Sequence, residues 1–267
     1  MIGPAPAKIN LALVVGPHRD DGMHELATVV QRVDLGDRIT VEPADETIVE
    51  GFPEDTIVRS ALESLDARHG WRVRIEKHTP VAAGLGGGSS DAATALRLAN
   101  AQLASPKRPE ELHELAARAG ADVPFFLRDG PQLGTGDGTT LEALDLPQDF
   151  AVVLLLPKDV AKSSTAQIYA AFDERGGEQG YDERVANLRA ALAAVRRPRD
   201  LAALPPNDLA SSPLADEVRA HGAFRADVSG AGPALYGLFH HTADAARAAR
   251  ALRRFGRTWA TVPAWYG

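Results

Sequence analysis

The sequence predicts an α+β protein of two domains. Residues 7–15 and 71–77 alternate between apolar and polar side chains, which is typical of strands. The segment 56–69 instead places its apolar residues on one stripe, which indicates an amphipathic helix. Along the chain the predicted elements do not follow a regular strand–helix–strand array, and this favours α+β over a doubly wound parallel fold.

A chain of 267 residues can form two domains of modest size. The connector Leu146-Pro147-Gln148 is the predicted boundary, which gives domains over 1–148 and 149–267. In the second half, the apolar run 150–156 predicts a buried strand that is far too short to cross a bilayer.

Each remaining element has its own local signal. A helix over 109–119 is indicated by Pro109 near its start and Gly120 as its C-cap. The other predicted elements of the first half are a strand region over 29–41 with a turn at Gly36-Asp37, a helix that ends near Leu103, and a turn over 134–138 between two short strands. Those of the second half are a loop over 173–180, helices over 185–195, 208–220 and 242–255, strands over 224–228, 234–239 and 258–263, and a tight turn over 229–233.

Composition narrows the class of protein. The net charge of −7 argues against a nucleic-acid-binding surface as the main purpose. There is no cysteine, which excludes disulfides, thiolate catalysis and cysteine-bound zinc, and fits the reducing cytoplasm that we predict as the location. The N-terminus lacks the pattern of a signal peptide, so we expect no membrane association.

The most informative segment is the glycine-rich stretch over 80–93, which precedes an alanine-rich helical run. Glycine allows backbone N–H groups to turn inward and a ligand to approach closely. The helix that follows adds free N–H groups and the positive end of its dipole. The segment therefore predicts an anion cradle, most simply for a nucleotide phosphate. The residues of this cradle are Pro80, Gly84, Leu85, Gly86, Gly87, Gly88, Ser89 and Ser90.

Other interpretations of the loop are weaker. A Walker A motif requires a Lys-Ser/Thr pair after its last glycine, and a dinucleotide fingerprint requires an acidic ribose partner farther on; both are missing. A flexible linker or a simple turn, with Ser89 or Ser90 as an N-cap, remains an alternative. A linker, however, needs neither the preceding strand nor the following helix.

Several polar residues are candidates for chemistry, each with a structural alternative. Lys8 and Asn10 share one face of the first strand, where they could also mark a solvated edge. Asp122 could accept a proton or cap a short helix. His24 by itself suggests a surface histidine, and Asn207-Asp208-Leu209 suggests a helix cap. No pair of histidines has the spacing of a metal site, so no zinc site is expected.

Together these segments resemble the GHMP kinases. The loop over 80–93 is similar to their central phosphate-binding motif, and the turn Ser229-Gly230-Ala231-Gly232-Pro233 is similar to their third motif. Further matches follow in the same order along almost the whole chain: Pro6-Ala7-Lys8-Ile9-Asn10-Leu11, Asp21-Gly22-Met23-His24-Glu25-Leu26, Gly120-Ala121-Asp122-Val123-Pro124-Phe125 and Asn207-Asp208-Leu209.

The resemblance implies a two-domain fold with an N-terminal ATP-binding domain, a C-terminal ferredoxin-like domain and an active site in the cleft between them. It implies ATP and Mg²⁺ as cofactors, without indicating the metal's ligands. The substrate would be a cytidine diphosphate-linked methylerythritol of the non-mevalonate isoprenoid pathway. Lys8 and Asp122 would be catalytic: Asp122 would take the proton of the substrate hydroxyl, and Lys8 would orient Asp122.

The resemblance also assigns substrate contacts to Asn10, Met23, His24 and Tyr169. The family usually has a tyrosine at the position of Met23, where it stacks on the cytosine ring; methionine can contact such a ring through its sulfur. Tyr169 could stack from the other side. Two alternatives follow: a GHMP-type kinase for a different small alcohol, favoured by Met23, or a nucleotide-binding homologue without catalysis, which the presence of Lys8 and Asp122 disfavours.

Overall fold

The computed structural model describes residues 1–52, 57–66, 70–158 and 164–264. It confirms the α+β class, since helices pack on two separate sheets. The first predicted helix is present as α1 (Ile57–Leu65), while Thr56 and His69, the predicted ends, lie outside the described residues. No helix in the described ranges is long and apolar enough to cross a membrane.

The first sheet is formed by the N-terminal half of the chain. Its strands are β1 (Ile2–His18), β2 (His24–Ala44), β3 (Ile48–Glu50), β4 (Gly70–Glu76), β5 (Gln132–Gly136) and β6 (Thr140–Ala143). Strand β2 is the centre: β1 pairs with it along one side, and β4 and β5 pair with it along the other. The first predicted strand is therefore confirmed and longer than expected.

The predicted turn at Gly36-Asp37 is wrong, because β2 continues through these residues. The partner register shifts from Pro6↔Gly36 to Ala7↔Val33, so the extra residues form a bulge instead of a turn. Glycine fits this position because a Cβ on Gly36 would lie 2.5 Å from the carbonyl oxygen of Ala5. The bulge leaves Asp37 buried at the end of β4.

Three helices cover one face of this sheet: α1, α2 (Gly87–Asn100) and α3 (Pro109–Ala119). Helix α2 contacts both β1 and β2, and α1 packs against α2. The small buried side chains of α2, such as Ala92 and Ala95, permit this close approach. The predicted helix over 109–119 and its Gly120 C-cap are confirmed, and α2 ends slightly before the predicted Leu103.

The second sheet is formed by the C-terminal half. Its strands are β7 (Ala151–Pro157), β8 (Arg225–Val228), β9 (Leu235–Phe239) and β10 (Gly256–Thr261). They pair antiparallel in the order β10-β7-β9-β8, which is the 4-1-3-2 order of a ferredoxin-like unit. The helices of this half are α4 (Thr165–Glu174), α5 (Tyr181–Ala194), α6 (Leu214–Ala220) and α7 (Thr242–Leu252).

Two features of the second half differ from the sequence predictions. Helix α4 was not predicted, although Ser164 and Gln167 form the capping box that starts it. The predicted helix over 208–220 is wrong in its first part, because α6 begins only at Leu214. Asp208 is engaged elsewhere: its carboxylate accepts a hydrogen bond from the backbone N–H of Val15.

The two sheets share a hydrophobic core. Ile9 and Leu11 of β1 belong to the same buried cluster as Leu154 of β7 and Tyr236 of β9. The Arg225 guanidinium is buried in this region and donates to the carbonyl oxygens of Leu11 and Leu204. Strand β1 is thus held against both sheets, and its polar residues lie where the two halves meet. The division into 1–148 and 149–267 stays a prediction.

Candidate active site

Two cavities adjoin the glycine-rich loop: the first lies between the halves of the chain, and the second is lined by residues within 52–89 of the N-terminal half. The first has a volume of about 700 Å³ and the second about 280 Å³. Ala82, Gly84, Gly86 and Ser89 line both, so the glycine-rich loop separates them and contributes to each. Two exposed large apolar side chains lie at their edges, Met23 at the first and Val81 at the second.

The glycine-rich loop depends on backbone conformations that glycine permits. Gly84 and Gly86 have φ values of 81° and 68°. A Cβ on Gly84 would lie 2.1 Å from the carbonyl oxygen of Ser229, so the loop can touch the 229–233 turn only with glycine there. Gly86 then occupies the N-cap position of α2. The first N–H groups of α2 therefore begin at the surface shared by both cavities.

Lys8 and Asn10 form the polar centre of the first cavity. Both are 4% exposed, so the alternative of a solvated strand edge is wrong. The Lys8 ammonium donates to Oδ1 of Asn10 over 2.7 Å, and the Asn10 amide donates to the Thr28 hydroxyl over 2.8 Å. The backbone N–H of Lys8 donates to the carbonyl oxygen of Leu85. The lysine is thereby fixed in position and joined to the glycine-rich loop.

Asp122 lies opposite this lysine. Its Oδ2 is 3.4 Å from the Lys8 Nζ, and its side chain is 46% exposed and lines the first cavity. The alternative of a helix cap is wrong, because Val123 occupies the N-cap position of the 3₁₀ helix Pro124–Leu127 and no side chain caps it. Buried Arg32 donates to the carbonyl oxygens of that helix, which holds the segment that carries Asp122 against β2.

The turn over 229–233 closes the third side of the site. The hydroxyl of Ser229 donates to the carbonyl oxygen of Gly84 over 2.9 Å and accepts from the backbone N–H of Asn10 over 3.3 Å. The Asn207 amide donates to the carbonyl oxygen of Gly230 over 2.6 Å. Asn207 is therefore a support for this turn instead of a helix cap, and the turn is more than a simple hairpin.

The second cavity has a lysine in its wall beside apolar side chains. Lys77 lines it together with Phe52, Ile57 and the residues of the loop. The Lys77 ammonium lies 2.7 Å from Oδ2 of Asp37 and 2.6 Å from Oδ2 of Asp91, whose side chains are both fully buried. Asp37 also accepts from the backbone N–H groups of residues 78 and 79. These contacts fix the end of β4 to the first turns of α2, beside the glycine-rich loop.

Burial and the neighbouring Asp37 carboxylate raise the pKa of Asp91 from 3.8 to about 8. Between pH 4 and pH 8 the folded protein therefore holds a proton that the unfolded chain has released. We expect the free energy of unfolding of the wild type to fall as the pH rises through this window. An Asp91→Asn variant cannot ionise there, so its free energy of unfolding should show a flatter dependence on pH.

Urea denaturation at pH 5, 6, 7 and 8 measures the difference between the two proteins. Asp149→Asn, at an exposed position, is the control and should keep the wild-type slope. An Asp91→Asn variant with the wild-type slope would contradict the assignment of this proton to Asp91.

An aromatic group forms the far end of the first cavity. Tyr169 of α4 lines it, and Met23 lines it from the β1–β2 hairpin. The His24 ring packs against Tyr169 in a tilted arrangement, with centroids 4.7 Å apart and an interplanar angle of 33°, and its Nε2 lies 2.8 Å from Oδ1 of Asp173. Burial, with a smaller contribution from Asp122, raises the pKa of Tyr169 to about 12, so the phenol is neutral. Hydrogen bonds from His24 and His18 lower the pKa of Asp173.

The structure brings together most residues singled out in the sequence. Lys8, Asn10, Met23, Asp122 and Tyr169 line the first cavity, and Pro80, Gly87 and Gly88 join the shared loop residues in the second. Leu85, Ser90 and His24 line neither: the first two are buried beneath the loop, and His24 lies behind Tyr169.

Thr28, Lys77 and Asp173 also belong to this region and were not predicted as site residues from the sequence. Lys77 ends an alternating strand directly before the loop, and this position was the available signal for it. The expectation of no zinc site rested on spacing along the chain, whereas the fold places His18 and His24 beside Asp173, all with ligand atoms within 4.8 Å of one another.

Comparisons with known proteins agree with this geometry. Residues 55–130 match the family described as GHMP kinases N terminal domain, and residues 201–258 match GHMP kinases C terminal. The chain is 38% identical over 265 residues to the 4-diphosphocytidyl-2-C-methyl-D-erythritol kinase of Anaeromyxobacter sp. (strain Fw109-5), covering 93% of this chain and 85% of that protein. It is 38% identical over 276 residues to the protein of the same name from Desulfitobacterium hafniense (strain Y51), covering 96% and 93%.

Solved structures give the same result. A crystal structure of 4-(cytidine 5'-diphospho)-2C-methyl-D-erythritol kinase superposes with a TM-score of 0.76 at 34% identity, and the match covers 100% of both chains. A mevalonate kinase superposes with a TM-score of 0.72 at 13% identity, over 98% of this chain and 99% of that one. At that identity the second match shows a shared fold only.

Proposed function

The chain belongs to the GHMP kinases, in the branch of 4-diphosphocytidyl-2-C-methyl-D-erythritol kinases, and we propose that it transfers the γ-phosphoryl group of ATP to the 2-hydroxyl of that substrate. It is a small-molecule kinase of the non-mevalonate isoprenoid pathway. The observation that carries the mechanism is the pair of Lys8 and Asp122, 3.4 Å apart beside the junction of the two cavities.

The second cavity suits ATP. Its walls offer the first N–H groups of α2, the Lys77 ammonium and the apolar side chains of Phe52 and Ile57, which match a triphosphate and a nucleoside base respectively. A Cβ on Gly87 would lie 3.2 Å from the Lys77 Nζ, so glycine keeps this space open. Mg²⁺ supplies charge neutralisation on the phosphates, and the Ser89 hydroxyl, which lines both cavities, is a hard oxygen donor that fits it.

The first cavity suits the alcohol. We assign Asp122 as the group that accepts the hydroxyl proton while the hydroxyl oxygen forms its bond to the γ-phosphorus and the bond to the β–γ bridging oxygen breaks, leaving ADP. The Lys8 Nζ lies 2.7 Å from Oδ1 of Asn10 and 3.4 Å from Oδ2 of Asp122. Its positive charge orients the Asp122 carboxylate and also offsets the negative charge that develops on the transferred phosphoryl group. The protein contributes alignment and electrostatics, which this reaction chiefly requires.

The far end of the cavity suits the cytidine group. Met23 and Tyr169 approach it from different elements, and His24 fixes the Tyr169 ring from behind. Asn10, fixed between Lys8 and Thr28, is assigned to the polyol end of the substrate. We therefore assign Tyr169 and Met23 to contacts with the cytosine base, and His24 to the support of the Tyr169 ring.

The direct test is the formation of ADP by purified protein with ATP and Mg²⁺, measured with and without 4-diphosphocytidyl-2-C-methyl-D-erythritol. We expect turnover that depends on this substrate. Thermal protection by cytidine nucleotides provides a second, independent measurement. Turnover only with another small alcohol would support the alternative favoured by Met23, and ATP binding without any turnover would support the non-catalytic alternative.

Truncation of Tyr169 should affect binding of the substrate more than catalysis. In Tyr169→Ala we expect KM for the cytidine substrate to rise about tenfold while kcat changes little, because stacking on the base is present in both the ground state and the transition state. Tyr169→Phe retains the ring and should stay near the wild-type KM. Steady-state kinetics at saturating ATP measure both values, and an unchanged KM in Tyr169→Ala would remove Tyr169 from the base-binding site.

A further inference from the structure

A cluster of three metal-ligating side chains lies outside the catalytic centre, behind Tyr169. The Nε2 atoms of His18 and His24 lie 3.1 Å and 2.8 Å from the two carboxylate oxygens of Asp173. The ring centroids of the two histidines are 4.0 Å apart. We propose that His18, His24 and Asp173 form a binding site for a divalent transition-metal ion, with Zn²⁺ as the ion that fits best.

The fold builds this cluster from two elements. His18 ends β1 and His24 begins β2, and the two residues are direct partners in the antiparallel register. Cross-strand partners have neighbouring side chains, so both rings project together from the hairpin. Asp173 belongs to α4, near its C-terminal end, and reaches the rings from the other half of the chain.

The distances are close to those that a zinc ion requires. With bonds of about 2.0–2.1 Å, the ligand atoms of a tetrahedral zinc site lie about 3.3 Å from one another. With one carboxylate oxygen as the ligand, the 2.8 Å between Oδ1 of Asp173 and Nε2 of His24 needs to open by about half an ångström. The ligand atoms of all three residues, one from each, lie within 4.8 Å of one another. Three protein ligands leave one position for water.

The exposure of the ligands agrees with such a site. The His24 side chain is 6% exposed, whereas those of His18 and Asp173 are 59% and 35% exposed, so an ion can enter from solvent on the His18 side. Imidazole nitrogens are poor ligands for Mg²⁺, which prefers oxygen, so this site is distinct from the metal that accompanies ATP. A bound ion would join the β1–β2 hairpin to α4 and thereby fix the helix that carries Tyr169.

The test is titration of the full-length protein with Zn²⁺ alone, by isothermal titration calorimetry in the absence of nucleotide. We expect one site per chain in the wild type and at least a tenfold loss of affinity in His18→Gln. His18 is exposed, so this variant should fold normally. His241→Gln replaces an exposed histidine outside the cluster and should bind as the wild type does. Asp173→Asn should weaken binding as His18→Gln does.

Co²⁺ substitution gives a second readout that does not depend on activity. Tetrahedral Co²⁺ with nitrogen and oxygen ligands produces visible absorption bands, which should appear in the wild type and in His241→Gln and be lost in His18→Gln. A wild type that takes up no Zn²⁺ at 100-fold molar excess would overturn the proposal. Retention of wild-type affinity in both His18→Gln and Asp173→Asn would overturn it equally, because the ion would then bind elsewhere.

Discussion

Replacement of Asp122 by asparagine should lower kcat by roughly 10²- to 10⁴-fold, the range expected when a general base is removed from a proton transfer. Asparagine keeps the size of the side chain and can still face the Lys8 ammonium through its carbonyl oxygen. It cannot take a proton from the substrate hydroxyl. The loss should therefore appear in kcat, while KM for ATP stays close to that of the wild type.

The fold should tolerate this change. The Asp122 side chain is 46% exposed, and Lys8 keeps its hydrogen bond to Asn10 when Asp122 is replaced. A half-exposed ion pair contributes little to the free energy of unfolding, so the melting temperature should remain that of the wild type. An activity loss without a stability loss would separate a chemical role from a structural one.

A matched control is available on the same segment. Asp129 follows the 3₁₀ helix, its side chain is 94% exposed and lies 4.0 Å from the Arg32 guanidinium, and it does not line the cavity, so Asp129→Asn removes one negative charge nearby and leaves the backbone hydrogen bonds of Arg32 in place. We expect wild-type kinetics for it in the ADP-formation assay. If Asp122→Asn retained more than a tenth of wild-type kcat, the assignment of Asp122 as the proton acceptor would be wrong.

How far the sequence predicts this site is clear from Lys8 and Asp122. A lysine on an apolar strand and an aspartate in an apolar neighbourhood are each unusual enough to be noticed. Nothing local brings them together, because the 3.4 Å contact depends on α2 packing against β1 and on Arg32 holding the 3₁₀ helix. The residue types could thus be predicted, while their juxtaposition required the tertiary fold.

The errors in the predicted fold have the same origin. Gly36 suggests a turn by its residue type, yet pairing with β1 carries β2 through it. Asp208 suggests the start of a helix, but its carboxylate and backbone N–H bind β1 instead, at Val15 and Leu13. In both cases a long-range hydrogen bond overrides a local preference. Helix α4 is different, because its capping box was a local signal that could have been used.

Removal of the Lys77 charge should have the largest effect on stability. Lys77 is the cation between two carboxylates that are fully buried, Asp37 and Asp91. Lys77→Met keeps most of the aliphatic length and removes the ammonium, which leaves the buried Asp37 carboxylate, and the fraction of Asp91 that is ionised at pH 8, without a counter-ion. We expect the free energy of unfolding to fall by about 3–5 kcal/mol, the cost of breaking a buried ion pair by removal of one partner.

Urea denaturation at pH 8 measures this loss. Arg74→Met on β4, the strand that ends just before Lys77, is the control: the side chains of Arg74 and its partner Glu50 are 64% and 37% exposed, so we expect a change below about 1 kcal/mol. A buried carboxylate without its cation avoids the cost of burial by taking up a proton. The loss of unfolding free energy in Lys77→Met should therefore be smaller at pH 5. A second substitution, Asp91→Asn, should restore part of the stability of Lys77→Met at pH 8. If Lys77→Met were no less stable than Arg74→Met, the two aspartates would not need Lys77 as a partner. The link between β4 and the glycine-rich loop would then depend on the hydrogen bonds of Asp37 alone.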